Sequence, residues 1–173
     1  MKTLITYSSR TGNTKLVAEA IHTVLPHDAI IKAVEQAPPP DDFEYLVIGF
    51  WVDKGLPDEL ARSYMARVQN KRVGLFGTLG AWPDSDHARQ CMEQAVKTME
   101  DNGNTVTCTF LCMGKVDPKL LEMMQNMPGA ADRHAMTPER KARLEEGQKH
   151  PDAADLERAR MVFSTAYETG SGQ

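Results

Sequence analysis

The chain's 173 residues suffice for one α/β domain with a tail and leave little room for a second domain. Its 20 Lys and Arg against 24 Asp and Glu give a formal net charge of −4, which disfavours nucleic acid and suits a basic protein partner. The three cysteines form no CxxC pair, which excludes the usual zinc and iron–sulfur patterns. The apolar run at the N-terminus stops at Ser8, too early for a signal peptide or a membrane span. We therefore expect a cytoplasmic protein without membrane insertion.

The first third of the chain alternates between strand and helix patterns. Residues 2–7 predict a strand, and a tight loop leads from it to a helix over residues 13–25. Residues 29–34 predict a second strand, and the nearly all-apolar residues 45–50 predict a third strand covered on both faces. The apolar stripe of the helix comprises Leu16, Val17, Ala20, Ile21, Val24 and Leu25.

The middle of the chain continues the alternation. We expect a helix from about Asp58 to Val68, a buried strand over 72–77 and a fifth strand over 105–112. A strong helix between the last two strands begins at Asp84 or Ser85 as N-cap and ends at Gly103. The fifth strand fits a sheet edge because threonines occupy one face, whereas the other face carries Val106, Cys108, Phe110 and Cys112.

The last third predicts helices only. Residues 118–127 form an amphipathic helix, 128–150 are a polar insertion that is irregular or loosely helical, and 152–168 form a final helix. Strands that alternate with helices indicate a parallel sheet with right-handed crossovers, and therefore a three-layer doubly wound α/β fold. We expect a single domain over 1–173, with a core of about 1–127 plus the helix 152–168 and a helical C-terminal extension. Ligands then bind at the carboxyl ends of the strands.

The loop after the first strand is suited to a phosphate monoester. Hydroxyl groups and free backbone N–H groups meet there at a helix N-terminus, where the helix dipole favours an anion. No G-x-G-x-x-G, no G-x-x-x-x-G-K and no cysteine nucleophile occurs in the loop, so a dinucleotide, a triphosphate and phosphate chemistry are disfavoured. The alternative is that Thr11 or Asn13 merely caps the helix. The candidate residues are Ser8, Ser9, Arg10, Thr11, Gly12, Asn13 and Thr14.

This loop resembles the phosphate-binding signature T/S-x-T-G-x-T of the flavodoxins, matched by the six residues from Ser9 to Thr14. The resemblance implies a five-stranded sheet in the order 2-1-3-4-5, one non-covalently bound FMN, and electron transfer to a redox partner protein. The stretches GFWVDKG, FGTLGAWPDSDHA and CMGKVDPKLLEMM are also similar to a bacterial flavodoxin-like subfamily that accompanies bilirubin reductase. That similarity implies an electron donor to a flavin or tetrapyrrole reductase.

Two tryptophans follow the third and fourth predicted strands, beside the phosphate loop. We expect Trp51 and Trp82 to hold the flavin ring between them, as aromatic residues from these loops do in flavodoxins. The alternative is that either indole belongs to the core. Neighbouring residues expected at the ring are Val52, Asp53 and Gly55 in the first loop and Thr78, Leu79, Gly80 and Ala81 in the second.

Charged side chains near the flavin ring affect its reduction potential. We expect an acidic surrounding that disfavours the reduced anion, supplied by Asp53, Asp58, Asp84 and Asp86 and opposed by Lys54. No metal site is expected, because the five histidines are scattered along the chain. Two other functions stay open: an FMN-dependent oxidoreductase such as a quinone reductase or a flavodoxin-type protoporphyrinogen oxidase, and a binding protein that has lost the cofactor.

Overall fold

Five parallel strands form the central sheet of the computed structural model, which describes residues 1–125 and 137–170. They are β1 (Thr3–Tyr7), β2 (Ile30–Ala33), β3 (Tyr45–Asp53), β5 (Arg72–Leu79) and β6 (Thr105–Met113). The two-residue strand β4 (Leu56–Pro57) pairs antiparallel with the end of β3. The order β2-β1-β3-β5-β6 confirms the predicted order once β4 is set aside.

Helices cover both faces of the sheet. In chain order they are α1 (Asn13–His22), α2 (Glu59–Met65), α3 (Asp86–Asp101), α4 (Pro118–Gln125), α5 (Pro138–Gly147) and α6 (Ala153–Gly170). The side chain of Ser85 caps α3 by accepting from Ala88 N, and Gly103 follows its end with a positive φ of 76°. The cap at Ser85 and the end before Gly103 agree with the boundaries predicted for this helix from the sequence.

Strands β1, β3 and β5 supply side chains alternately to two core layers. Leu4 faces the layer under α2 and α3, whereas its neighbour Ile5 faces the layer under α1 and α6. The sequences of these strands are nearly continuous apolar runs because both faces of the sheet are covered. Full burial of one such side chain contributes about 1.5–3 kcal/mol to the free energy of unfolding. The first layer includes Leu46, Ile48, Phe50, Met65 and Met99, and the second includes Val17, Ile21, Val47, Ala159 and Phe163.

Some element boundaries and one burial assignment differ from the sequence prediction; helix α1, for example, ends at His22 instead of Leu25. Strand β3 continues to Asp53, so Trp51 lies inside the strand, where it pairs with Thr78 of β5. Helix α2 ends at Met65 instead of Val68. Leu16 is 47% exposed although it was expected in the buried stripe of α1. The buried face of α1 includes Ala18 beside Val17 and Ile21, so Leu16 lies outside it.

A β-bulge changes the face assignment in β6. The register with β5 shifts just before Gly74, which pairs with Cys108, so Thr107 is an extra residue. Val106 therefore packs in the layer under α2 and α3, whereas Cys108 and Phe110 pack in the layer under α1 and α6. The prediction that Val106 shares a face with Cys108 was wrong because one extra residue reverses the alternation.

The polar insertion over 128–150 contains a regular helix, α5. The sequence prediction allowed either an irregular or a loosely helical segment there. Thr137 caps α5 by accepting from Arg140 N, and Pro138 occupies its first turn. Helix α6 packs on α1 and buries Ala159, Phe163 and Ala166, with Leu156 and Tyr167 partly buried as expected. The expectations for 126–136 and 171–173 lie outside the described residues.

An ionic cluster joins α5 to α6. The carboxylate of Asp155, which is 2% exposed, accepts from His150 Nδ1 and from Arg158, and the other ring nitrogen of His150 lies 3.4 Å from Glu146 Oε1. The hydrogen bond to Asp155 raises the pKa of His150 above its ordinary value. Asp152 also lies beside the imidazole and reinforces this shift.

We expect this cluster to make stability depend on pH. Because the folded pKa of His150 is raised, its contribution is complete below the unfolded value of about 6.5 and disappears as pH rises through the folded value. The variant His150→Gln should therefore lose more unfolding free energy at about pH 6 than at about pH 9, as measured by urea denaturation. His27→Gln, at an exposed position outside this cluster, is the matched control. An equal loss for His150→Gln at both pH values would contradict the prediction.

Candidate functional site

A cavity of about 720 Å³ lies at the carboxyl edge of the sheet, where the loops after β1, β3, β5 and β6 meet. This size falls in the range of small-molecule and cofactor sites, and the position is the switch point of a doubly wound sheet. The predicted site residues that line it are Arg10, Thr11, Asn13, Thr14, Trp51, Val52, Asp53, Gly55, Thr78, Leu79, Gly80 and Ala81. Ser8, Ser9, Gly12 and Trp82 do not line it.

The loop after β1 presents hydrogen-bond donors to this cavity. Gly12, at the N-cap of α1, has a φ of 90° and no side chain to cap the helix. Thr11 Oγ1 accepts from Asn13 Nδ2 at 3.0 Å, which leaves its own hydrogen available for donation. Thr14 Oγ1 lies 2.9 Å from Thr78 Oγ1, and only one of these two hydroxyls can donate to the other. The alternative role of Thr11 or Asn13 as a helix cap is not observed, because neither side chain accepts from a backbone N–H of α1.

Asn13 lines the cavity and also connects two loops. Its backbone is helical, and the positive φ of this loop occurs at Gly12. The Asn13 side chain donates to Thr11 Oγ1 and to the carbonyl oxygen of Lys115 at 2.9 Å. Asn13 therefore fixes the loop after β1 to the loop after β6.

Ser8 and Ser9 are used inside the protein. Ser8 is 3% exposed, its hydroxyl donates to Asp58 Oδ1 at 2.7 Å, and its N–H donates to Gly49 O. Ser9 Oγ accepts from Lys15 N at 3.2 Å, within the first turn of α1. These two residues shape the loop but do not line the cavity.

Asp58 connects the phosphate loop to the strand that carries Trp51. Its carboxylate accepts from Ser8 Oγ, from Ala61 N at 3.3 Å as the N-cap of α2, and from Trp51 N at 3.4 Å. Its own N–H donates to Trp51 O at 3.0 Å. Because Asp58 is 2% exposed, these bonds are made away from water and replace its hydration.

Only one of the two tryptophans reaches the cavity. Trp51 lines it near the end of β3, with the Arg10 guanidinium 5.8 Å from the ring centre. Trp82 is 44% exposed and outside the lining, although Ala81 beside it does line the cavity. The structure therefore does not place a second indole opposite Trp51. The turn at Lys54 and Gly55, with φ of 51° and 83°, brings the end of β3 back along itself.

Sequence reasoning missed the loop after β6, which forms another wall. Gly114 N donates to Leu79 O at 2.9 Å, and a Cβ on Gly114 would lie 2.7 Å from Asn13 Nδ2. The sequence could have indicated this wall, because the loop follows the fifth predicted strand and the carboxyl ends of parallel strands share one edge of the sheet. Lys54, expected as a charge near the ring, also lines the cavity, and the remaining lining residues that were not predicted are His87, Lys115, Val116, Asp117, Leu121, Arg140, Arg143 and Leu144.

The cavity is cationic, contrary to the expected acidic surrounding. Of the four carboxylates expected at the ring, only Asp53 lines the cavity. Asp58 is buried in its own hydrogen bonds, while Asp84 and Asp86 are exposed and Asp86 pairs with Arg89. The lining carries five cationic side chains and two carboxylates, a formal charge of +3 with His87 neutral. The chain's net charge of −4 thus conceals a locally positive site.

The cysteines do not supply a nucleophile. Burial raises the pKa of the Cys91, Cys108 and Cys112 thiols, and none of them lines the cavity. Protonated, buried thiols are poor nucleophiles. The cysteines therefore contribute no nucleophile to this cavity.

Residues 4–164 match the model of the flavodoxin domain, and the chain belongs to this family. It is similar to the flavodoxin-like domain-containing protein BilS of Clostridioides difficile (strain CD3), with 28% identity over 165 residues and 93% of each chain covered. The protein of the same description from Clostridium symbiosum (strain WAL-14163) is 27% identical over 191 residues, with full coverage of both chains. These matches confirm the resemblance stated from the sequence and support FMN as the cofactor.

The fold is also that of solved flavodoxins. The crystal structure of oxidised Flavodoxin 2 from Bacillus cereus superposes with a TM-score of 0.64 at 15% identity, covering 98% of this chain and 99% of that chain. None of the helices in the described ranges combines the length and apolar character that a membrane span requires.

Proposed function

We propose that the chain binds one FMN non-covalently in this cavity and donates its electrons to a partner reductase. The observation that carries the proposal is the meeting of the N-terminus of α1, where Gly12 provides no side-chain cap, and the Thr11 hydroxyl with the Trp51 ring in one cavity. Bound FMN supplies the redox chemistry. Thr11, Thr14 and the first N–H groups of α1 would hold its phosphate, and Trp51 would pack against its ring.

The unpaired cations of the cavity also fit this cofactor. The Nε atoms of Arg140 and Arg143 are buried and have no hydrogen-bond partner in the described ranges. A buried charged donor without an acceptor is unfavourable, so a site built this way fits an anion-bearing ligand. Exposed Trp82, next to the cavity wall at Ala81, would lie at the rim where a partner approaches.

A protein partner is supported by charge. The chain is acidic overall, and an acidic surface favours encounter with a basic redox protein. We further propose that it works in the cytoplasm as a single domain over 1–173. The three free thiols, two of them buried, are consistent with a reducing compartment.

The experiment separates a carrier from a stand-alone oxidoreductase. The FMN-loaded chain is mixed with NADPH and a quinone, with and without a flavodoxin reductase, and the flavin absorbance is followed. We expect the flavin to stay oxidised until the reductase is added, and then to pass electrons to cytochrome c at a rate that falls with salt. Rapid quinone reduction by NADPH without the reductase would contradict the carrier and favour the oxidoreductase.

A further inference from the structure

Two arginines that line the cavity belong to helix α5 and not to the loops that follow the strands. Arg140 and Arg143 are three residues apart, so they share one face of the helix, and both line the cavity together with Leu144. At the end of α5, a Cβ on Gly147 would lie 3.6 Å from Gly114 O. The helix is therefore seated on the loop after β6.

Neither guanidinium has a partner within the part of the chain that the structure describes. Both Nε atoms are shielded from solvent and make no hydrogen bond, and neither arginine takes part in an ion pair with a carboxylate there. Arginine keeps its charge at any physiological pH. By contrast, Arg10 already pairs with Asp117 at 3.8 Å. Arg140 and Arg143 are thus the cations of this cavity that most need an anion.

The charge of the cavity exceeds what a phosphate requires. The lining has a formal charge of +3, and a phosphate monoester carries about −2 at neutral pH. One positive charge remains. Reduction of FMN by two electrons and one proton, delivered by a reductase, leaves one negative charge at the pyrimidine edge of the ring. The phosphate already has Thr11 and the start of α1, with Lys115 held beside the loop by Asn13.

We propose that Arg140 and Arg143 stabilise the anionic, fully reduced form of bound FMN and so raise its midpoint potential. This inference rests on the proposed function and deepens it. The effect is opposite to that of the acidic surrounding expected from the sequence. Since a potential reports the ratio of affinities for the oxidised and reduced cofactor, groups that favour only the reduced form act on it directly.

The test uses Arg140→Gln, Arg143→Gln and the double variant, with Lys141→Gln as a matched control. Lys141 lies on the same helix, is exposed and pairs with Glu145, outside the cavity. We measure dissociation constants for oxidised FMN and for riboflavin, and the two-electron midpoint potential with redox dyes. Circular dichroism verifies that each variant is folded.

We expect each substitution to weaken binding of reduced FMN about tenfold, and the double variant about 100-fold. For a two-electron couple this lowers the midpoint potential by about 60 mV. Affinity for oxidised FMN should change less than about threefold, because that form lacks the ring charge. The control should leave all three quantities unchanged.

An unchanged potential in the folded double variant would overturn the inference. So would an equal loss of affinity for both redox forms with riboflavin binding unaffected, since the arginines would then bind the phosphate. An equal shift in Lys141→Gln would show a general field effect and would also refute it. Failure of the wild-type chain to take up FMN would overturn the proposed function as well, which distinguishes the two failures.

Discussion

Replacement of Asp58 by alanine is expected to lower the free energy of unfolding by about 3 kcal/mol, from loss of the α2 cap and of buried hydrogen bonds. The carboxylate accepts from Ser8 Oγ, Ala61 N and Trp51 N, and it is 2% exposed. Its removal leaves the buried Ser8 hydroxyl without an acceptor. Because the same side chain connects the phosphate loop to Trp51, FMN affinity should fall together with stability.

Urea denaturation at neutral pH measures this loss of unfolding free energy. Two further variants separate the contribution of the α2 cap from that of the other buried hydrogen bonds. Asp58→Asn keeps an acceptor oxygen for the cap, so its loss should be clearly smaller. Ser85→Ala removes the N-cap of α3, which has no link to the phosphate loop, and should cost about 1 kcal/mol. A loss in Asp58→Ala no greater than in Ser85→Ala would show that Asp58 is only a cap.

Simultaneous replacement of Thr11 and Thr14 by alanine is expected to weaken FMN binding by at least about 100-fold, since each hydrogen bond to a charged oxygen contributes about 1.5–3 kcal/mol. Both residues line the cavity at the start of α1. Thr11 has a free hydroxyl hydrogen because its oxygen accepts from Asn13 Nδ2. The pair formed by Thr14 and Thr78 has one hydroxyl hydrogen left to donate.

Fluorescence titration with FMN and with riboflavin provides the measurement. Riboflavin has no phosphate, so its affinity should be nearly the same in the double variant and the wild type. Thr98→Ala on the outer face of α3 is the matched control, because its hydroxyl only donates to Gln94 O on the surface. Unchanged FMN retention in the folded double variant would refute the assignment of this loop.

The individual strands and the loop after β1 could be predicted because their causes are local, whereas the strand order came from the resemblance to flavodoxins. Apolar runs mark strands covered on both faces, and a glycine with hydroxyl residues between a strand and a helix indicates an anion site. Trp51 was also placed at the correct edge of the sheet, although inside β3 and not after it. These features depend on short segments whose periodicity is visible in the sequence.

The other walls of the site depend on long-range packing. Arg140 and Arg143 lie in a polar segment far along the chain, and nothing local shows that α5 covers the cavity. The electrostatic prediction failed for the same reason: Asp58 is buried under the loop, and Asp86 turns to Arg89. The bulge at Thr107 likewise follows from pairing with β5, which a single strand does not reveal.

The central claim is that this cavity binds FMN through its phosphate. The most direct test is a titration of the purified, cofactor-free chain with FMN and with riboflavin, followed by flavin fluorescence. We expect one FMN to bind per chain, with an affinity for riboflavin at least about tenfold weaker because the phosphate contacts are lost. A chain that takes up no FMN, or that binds both flavins equally well, would contradict the account.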